Sequence, residues 1–183
     1  YDNFSMKRSI AIVLLIGFAA LCSAQKYYTG IGARFGKFNT GLTFKHFYAP
    51  ENRYGIQIDA LYTNIPQGGY TLKGLYLVQN RIKVPLIQIP LDFIYGGGIH
   101  ASYFPYHKDI NDPGYYKIVN GGRVPYGKSV IVAGVDGSVQ FEYKIPMKRF
   151  PFTLNFDANP YFEFLNPGPE WLDFGFSIRY VFR

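Results

Sequence analysis

The sequence predicts an all-β chain: an eight-stranded antiparallel up-and-down transmembrane β-barrel preceded by a cleavable signal peptide. Three observations carry that prediction. Segments of roughly ten residues alternate apolar with small or polar side chains, the period of two that a strand imposes. The 183 residues include 17 Tyr, 17 Phe and 20 Gly, a mixture that favours strands and tight turns over helices. Beyond residue 24 no stretch has helical periodicity or the ~20 apolar residues that a membrane helix requires.

Residues 1–24 read as a leader, with a signal peptide from Met6 because Tyr1 is not an initiator residue. Lys7 and Arg8 form the basic start and Ile10 to Leu21 an apolar segment too short to cross a bilayer. Cys22-Ser23-Ala24 makes a small-residue cleavage site before Gln25. Leu21 is a poor neighbour for a lipid-modified cysteine, so Cys22 is assigned to the cleavage site. Residues 25–183 then form a single domain without a disulfide, since Cys22 is the only cysteine. Losing Lys7, Arg8 and Asp2 takes the net charge from +7 to +6, an excess too modest to argue for nucleic acid. An exported, aromatic, all-strand chain is either a membrane barrel or a soluble sandwich or lipocalin.

The first strand covers residues 27–37, where Gly30, Gly32, Arg34 and Gly36 alternate with Ile31, Ala33 and Phe35. Phe38-Asn39-Thr40 turns into the second, 41–48, with Leu42 and Phe44 opposing Thr43 and Lys45. Pro50-Glu51-Asn52 signals the next turn. The third, 54–63, sets Tyr54, Ile56, Ile58, Ala60 and Tyr62 against Gly55, Gln57, Asp59 and Thr63, and Pro66-Gln67-Gly68-Gly69 ends it. The fourth, 70–79, places Leu72, Gly74, Tyr76 and Val78 opposite Thr71, Lys73 and Leu75. Pro85 and Pro90 would each remove a ladder hydrogen bond, so 81–90 is a connector. The fifth, 91–104, has Phe93, Tyr95, Ile99, Ala101 and Tyr103 against Asp92, Gly96, Gly98, His100 and Ser102.

A long loop, 105–128, leads to the sixth strand, 129–144. There Ile131, Ala133, Val135, Val139, Phe141 and Tyr143 alternate with Gly134, Asp136, Ser138, Gln140 and Glu142. After a basic turn at 145–151, the seventh, 152–164, puts Phe152, Leu154, Phe156 and Ala158 opposite Thr153, Asn155, Asp157 and Asn159. Asn166-Pro167-Gly168-Pro169 breaks it. The eighth, 172–183, gives the clearest alternation: Phe174, Phe176, Ile178, Tyr180 and Phe182 on one face, Asp173, Gly175, Ser177, Arg179 and Val181 on the other.

An even count of strands about ten residues long suits tilted membrane crossings. With both termini periplasmic, residues 38–40, 64–69, 105–128 and 165–171 lie outside, and 49–53, 80–90 and 145–151 lie in the periplasm. The faces carrying glycine and charge are taken as inward. Their cations are Arg34, Lys45, Lys73 and Arg179, their anions Asp59, Asp136, Glu142 and Asp157, and His100 is a further polar member. An eight-stranded barrel is just wide enough for side chains to fill. Buried charges persist only when paired. The expectation is a closed, salt-bridged interior and no aqueous channel.

The same residues contain acid–base chemistry, but they lie on strands that must carry polar groups inward in any case. No catalytic, cofactor or metal site is assigned. There is no His/Cys spacing for zinc and no phosphate loop followed by a helix. Gly96-Gly97-Gly98 is read as permitting bending or close backbone approach. Lys144, Lys148 and Arg149, with Arg53, Arg81 and Lys83, make a basic periplasmic rim. In the external loop, Tyr106, Tyr115, Tyr116, Arg123 and Tyr126 are candidate recognition residues, because tyrosine is favoured at protein interfaces. Tyr103 and Phe104 belong to an interfacial girdle.

The stretches IGARFG (31–36), GLTFKHF (41–47), YGGGIHASYF (95–104), GVDGSVQFEYK (134–144), FTLNFDANPYFEF (152–164) and FGFSIRYVF (174–182) resemble the outer-membrane β-barrel domains of Bacteroidota, relatives of the small OmpA-type barrels. Gln25 directly after the leader is also usual for exported proteins of that phylum. The resemblance implies outer-membrane location, contact with membrane lipid and lipopolysaccharide, and folding by the assembly machinery that reads an aromatic-ended last strand. Phe182 followed by Arg183 departs slightly from a terminal aromatic. The function expected is non-enzymatic: an anchor, scaffold or binding subunit acting through external loops, with an envelope complex as candidate partner. The alternatives are small-solute transport through a gated pore and a soluble periplasmic lipocalin-like binder.

Overall fold

The computed structural model describes residues 29–48, 53–63, 68–82, 91–106, 115–145 and 151–182. The leader from Met6, the turns around Pro50 and Pro66, the connector prolines Pro85 and Pro90, Lys83, Lys148, Arg149 and Arg183 lie outside the described residues. Among the described residues there are ten strands: β1 (Thr29–Gly36), β2 (Asn39–Phe47), β3 (Tyr54–Thr63), β4 (Gly69–Arg81), β5 (Leu91–Phe104), β6 (Tyr116–Val119), β7 (Gly122–Pro125), β8 (Val130–Lys144), β9 (Phe152–Leu165) and β10 (Leu172–Phe182). Eight of them close into one antiparallel barrel in the order β1-β10-β9-β8-β5-β4-β3-β2. The short pair β6–β7 is a separate hairpin inserted between β5 and β8. Closure leaves the barrel no unpaired edge, since β1 pairs with β10 from Thr29↔Phe182 to Gly36↔Gly175.

The register sets the barrel's dimensions. Stepping from Asn80 on β4 through paired residues Phe93, Phe141, Phe156, Phe176, Phe35, Thr40 and Tyr62 returns to β4 at Tyr70, ten residues from the start. With eight strands, a spacing of ~4.8 Å and a rise of ~3.3 Å per residue, that offset fixes a tilt of about 40° and a backbone radius of about 8 Å. The path also runs through five phenylalanines on five neighbouring strands, and the rings of Phe93 and Phe141 lie 5.4 Å apart.

Alternation along every barrel strand sorts the residues into two faces. The inward face is buried and polar over most of its length, as in the B-e-B-e pattern of β8. The outward face is exposed and apolar, with Ile31, Phe35, Leu42, Ile58, Leu72, Ile99, Val135, Phe156 and Ile178 all at least 40% exposed. By register, Tyr48, Tyr54, Tyr143 and Tyr180 ring the end where β1 begins, and Tyr62, Tyr70 and Tyr103 belt the end nearer the β6–β7 hairpin. Among the described residues no Asp, Glu, Lys or Arg faces outward between these two levels. The ten residues from Asn80 to Tyr70 span that interval, about 25 Å at the tilt given above.

Two details depart from ideal pairing. Opposite the Ala133/Gly134 step β9 carries one residue more than β8, a bulge that puts Phe164 and Leu165 on the surface. In β5, a Cβ on Gly96 would come within 2.0 Å of the Tyr76 carbonyl oxygen and one on Gly98 within 1.9 Å of that of Gly74. At Gly96 and Gly98 the β4 backbone therefore leaves no room for a side chain on β5.

Candidate functional site: the charged interior and the barrel mouth

All nine interior residues named from the sequence are buried: Arg34, Lys45, Asp59, Lys73, His100, Asp136, Glu142, Asp157 and Arg179. Their contacts divide into groups stacked along the axis. Arg34 donates from Nη2 to Asp157 at 2.6 Å and from Nη1 to Asp173 at 2.9 Å. Asn155 and Asn159 donate to the same Asp157 carboxylate, and Asn39 to Asp173. Gly175 makes room for this arrangement, because a Cβ there would lie 2.5 Å from Arg34 Nη2.

In the second group Glu142 accepts from Lys45 at 3.0 Å and Arg179 at 3.4 Å. Arg179 also donates to Thr43 and Ser177. Lys45 continues through Gln140 to Gln57, whose amide nitrogen donates to Asp59. Asp59 is thus held by an amide, with no ion pair to a cation among the described residues.

The expected balance of four cations against four anions needs correction. Asp92, Asp173 and Lys144 are also buried in the interior. Lys144 belongs to no basic rim: it pairs with Asp92, which also accepts from Gln79 and sits 3.5 Å from Arg81. The parity of their strands already pointed all three inward. The interior is also not polar throughout. Phe47, Leu75, Leu77 and Ile94 form a buried apolar cluster at the end where β1 begins. A second cluster, Phe104, Tyr115, Val130 and Val132 with Tyr126 against it, lies at the other end.

That second cluster caps the third charged group. Asp136 accepts from His100 Nδ1 at 2.7 Å and pairs with Lys73 Nζ at 3.0 Å. His100 Nε2 faces Glu163 Oε1 at 3.9 Å. Above it lies a cavity of about 50 Å³ lined by these four residues together with Asn39, Thr71, Ser102, Tyr161, Glu170 and the rings of Phe38, Phe104 and Tyr115. Glu163 keeps the inward parity of Asp157 and Asn159 but stands next to the end of β9, where a charged residue reads equally well as part of the following turn, and it was not named from the sequence.

The loop over this cavity is more ordered than a loop reading of 105–128 allows. Asn120 and Gly121 adopt φ of 50° and 78°, the left-handed pair of a two-residue hairpin turn, and join β6 to β7. The Asn-Gly dipeptide was the signal available in the sequence. Of the five candidate recognition residues, Tyr106 and Arg123 are exposed, while Tyr115 and Tyr116 are each only 7% exposed. Tyr115 stacks between Phe104 at 4.1 Å and Tyr126 at 5.9 Å and donates its hydroxyl to Glu163. Tyr126 donates to the Pro167 carbonyl, and Arg123 lies over the Tyr116 ring. Two of the five are therefore packing groups that fasten the hairpin, because an aromatic ring at the barrel mouth finds apolar surface there to cover.

Scans against protein-family models, curated proteins and solved structures return no match to this chain. The fold and the site carry the functional argument alone.

Proposed function

We propose that the chain is a small, non-enzymatic outer-membrane β-barrel that anchors, scaffolds or binds through its external loops, as the sequence resemblance to Bacteroidota barrels suggests. One observation carries the reading: the polarity is inverted relative to a water-soluble barrel. Ionic and amide side chains fill the inside, and an uncharged band about 25 Å tall, bordered by tyrosines, covers the outside. A lipocalin-like binder would place apolar residues inward around a ligand and face water with charge. In lipid, closure also satisfies every strand's backbone groups, which an open sheet cannot do. The reading puts lipid and lipopolysaccharide against the outer face, the chain ends in the periplasm and the β6–β7 hairpin outside. It gives the assembly machinery the aromatic strand β10 to recognise.

The interior favours an anchor over a pore. Most of its charges are consumed in pairs, and a buried apolar cluster lies at each end. A binding role is favoured over catalysis by the hydroxyls near His100. Ser102 bonds to Thr71 on β4, whereas His100 is turned toward Asp136 on β8, the opposite neighbour of β5. The deciding experiment is fractionation of the producing cell. The protein is expected in the outer-membrane pellet through high salt and alkaline carbonate, released only by detergent. Release by osmotic shock alone defeats the reading.

A further inference from the structure

The barrel wall has no free edge, but the β6–β7 hairpin is a two-stranded sheet with two. The Tyr126 amide donates to the Tyr115 carbonyl at 2.9 Å, which fixes the alternation of the ladder. The pairs 115/126, 117/124 and 119/122 exchange hydrogen bonds. Tyr116↔Pro125 and Ile118↔Arg123 then turn their backbone groups to the two outer edges. None of those outward groups bonds to another described residue. The two edges are not alike. Pro125 has no N–H, so β7 offers a broken row, one of the ways an edge is blunted. On β6 the N–H and C=O of both Tyr116 and Ile118 are intact, a template for one more strand. Tyr115 and Tyr126 tie the base of the hairpin to Glu163 and the Pro167 carbonyl, over the barrel mouth.

The side chains decide what kind of strand fits. Lys117, Arg123 and Lys128 are exposed, and no Asp or Glu occurs from residue 115 to residue 135. Among the described residues every carboxylate is buried or half-buried, so no exposed anion offsets these cations. A second copy of the hairpin would set the same cations against them, and like charges on neighbouring strands repel. Ile118 and Val119 are 50% and 42% exposed. A strand laid beside β6 has alternate side chains next to Lys117 and Val119 on one face and next to Ile118 on the other. An acidic residue there meets Lys117, and the apolar residue beside it in sequence covers Ile118. We propose that the β6 edge docks an extended segment of another protein, alternately acidic and apolar, as a third strand of the hairpin. The proposal deepens the reading that the chain binds through its external loops and rests on it, but it does not rest on membrane insertion.

The test is a titration of the folded full chain in a non-ionic detergent, followed by NMR at the backbone amides of β6. The probe acetyl-Val-Glu-Val-Glu-Val-Glu-amide is expected to give saturable shifts. It should also slow hydrogen exchange of the Ile118 amide by about tenfold or more, since that N–H gains a partner. The same peptide with lysine in place of glutamate should bind about tenfold or more weakly, because like charges then meet. The fully N-methylated glutamate peptide keeps the charge but cannot donate to a ladder, and it should leave Ile118 exchange unchanged. Lys117→Glu combined with Arg123→Glu should reverse the preference between the glutamate and lysine peptides. The comparison of peptides on the unmodified protein stands even where that variant does not fold. Phosphatidylglycerol doped into the micelle tells an anionic headgroup from a strand. If it shifts Lys117 and Arg123 as the glutamate peptide does, and neither protects Ile118, the hairpin is a lipid contact and the proposal falls. A linear response to the glutamate peptide, equal binding of the lysine peptide, or equal protection by the N-methylated peptide each overturns it as well. Barrel amides in the same spectra report the fold, and cell fractionation tests the membrane reading separately, so either can fail without the other.

Discussion

Arg34 holds two carboxylates from two strands, Asp157 of β9 and Asp173 of β10, while being itself only 1% exposed. Removing it leaves both anions buried without a cation, which typically costs about 3–5 kcal/mol. Arg34→Met is therefore expected to lower the urea-unfolding free energy of the refolded barrel by that amount. Asp59→Asn is expected to cost no more than about 1 kcal/mol, because Asp59 is held by the Gln57 amide and the variant removes no ion pair. The same unfolding measurement separates the two, and equal losses would contradict the pairing described. Gly175→Val belongs to this scale as well. Its Cβ would fall among the guanidinium atoms of Arg34, so it should unfold the barrel about as readily as Arg34→Met.

The β6–β7 hairpin makes no ladder with the barrel and is fastened by tyrosines. A two-stranded hairpin is marginal alone, so its order should depend on Tyr115. Tyr115→Ala is expected to leave the barrel folded and make residues 116–125 the first site cut in limited proteolysis. Burial and the Glu163 carboxylate push the Tyr115 phenol far above its ordinary range, and the same causes raise Tyr126. A group whose folded pKa exceeds its unfolded value stabilises the docked state fully below the unfolded value, near pH 10 for tyrosine, and loses that contribution above it. Proteolytic protection of the hairpin should hold level from neutral pH to about pH 10 and then fall, with the fall reduced in Tyr115→Phe.

How much of this was legible in the sequence follows from the physics of each element. All eight barrel strands were, because strict alternation of Phe174, Phe176 and Ile178 against Gly175, Ser177 and Arg179 has one structural explanation. The nine interior residues followed from the same parity. Asp92 and Lys144 were passed over because they sit at strand ends, where a turn explains a charge equally well. Ion-pair partners were not legible, since which cation meets which anion depends on the tilt and on Gln57 and Gln140 standing between Lys45 and Asp59. Tyr115 read as a surface residue because nothing local tells a ring that folds back onto Phe104 from one that faces water.

At the scale of the whole molecule, a buried apolar cluster stands at each end of the interior, Phe47, Leu77 and Ile94 at one and Phe104, Val130 and Val132 at the other. Reconstitution into planar bilayers is expected to give no steady conductance, and a stable water-filled pore would contradict the packing. The pairing also has a consequence for the order of the chain. Thr29 and Phe182 are partners, so the first and last barrel strands stand side by side at one rim. Every other step around the wall joins barrel strands that follow one another in the chain, with only the β6–β7 hairpin set between β5 and β8. Topologically the wall is a ring of eight equivalent staves, and the place where the polypeptide is cut has no privileged status. Linking the two ends and reopening the chain at Asn120-Gly121 should yield a circular permutant with the same barrel, the cut moved from the periplasmic rim of the proposed orientation to the outer one.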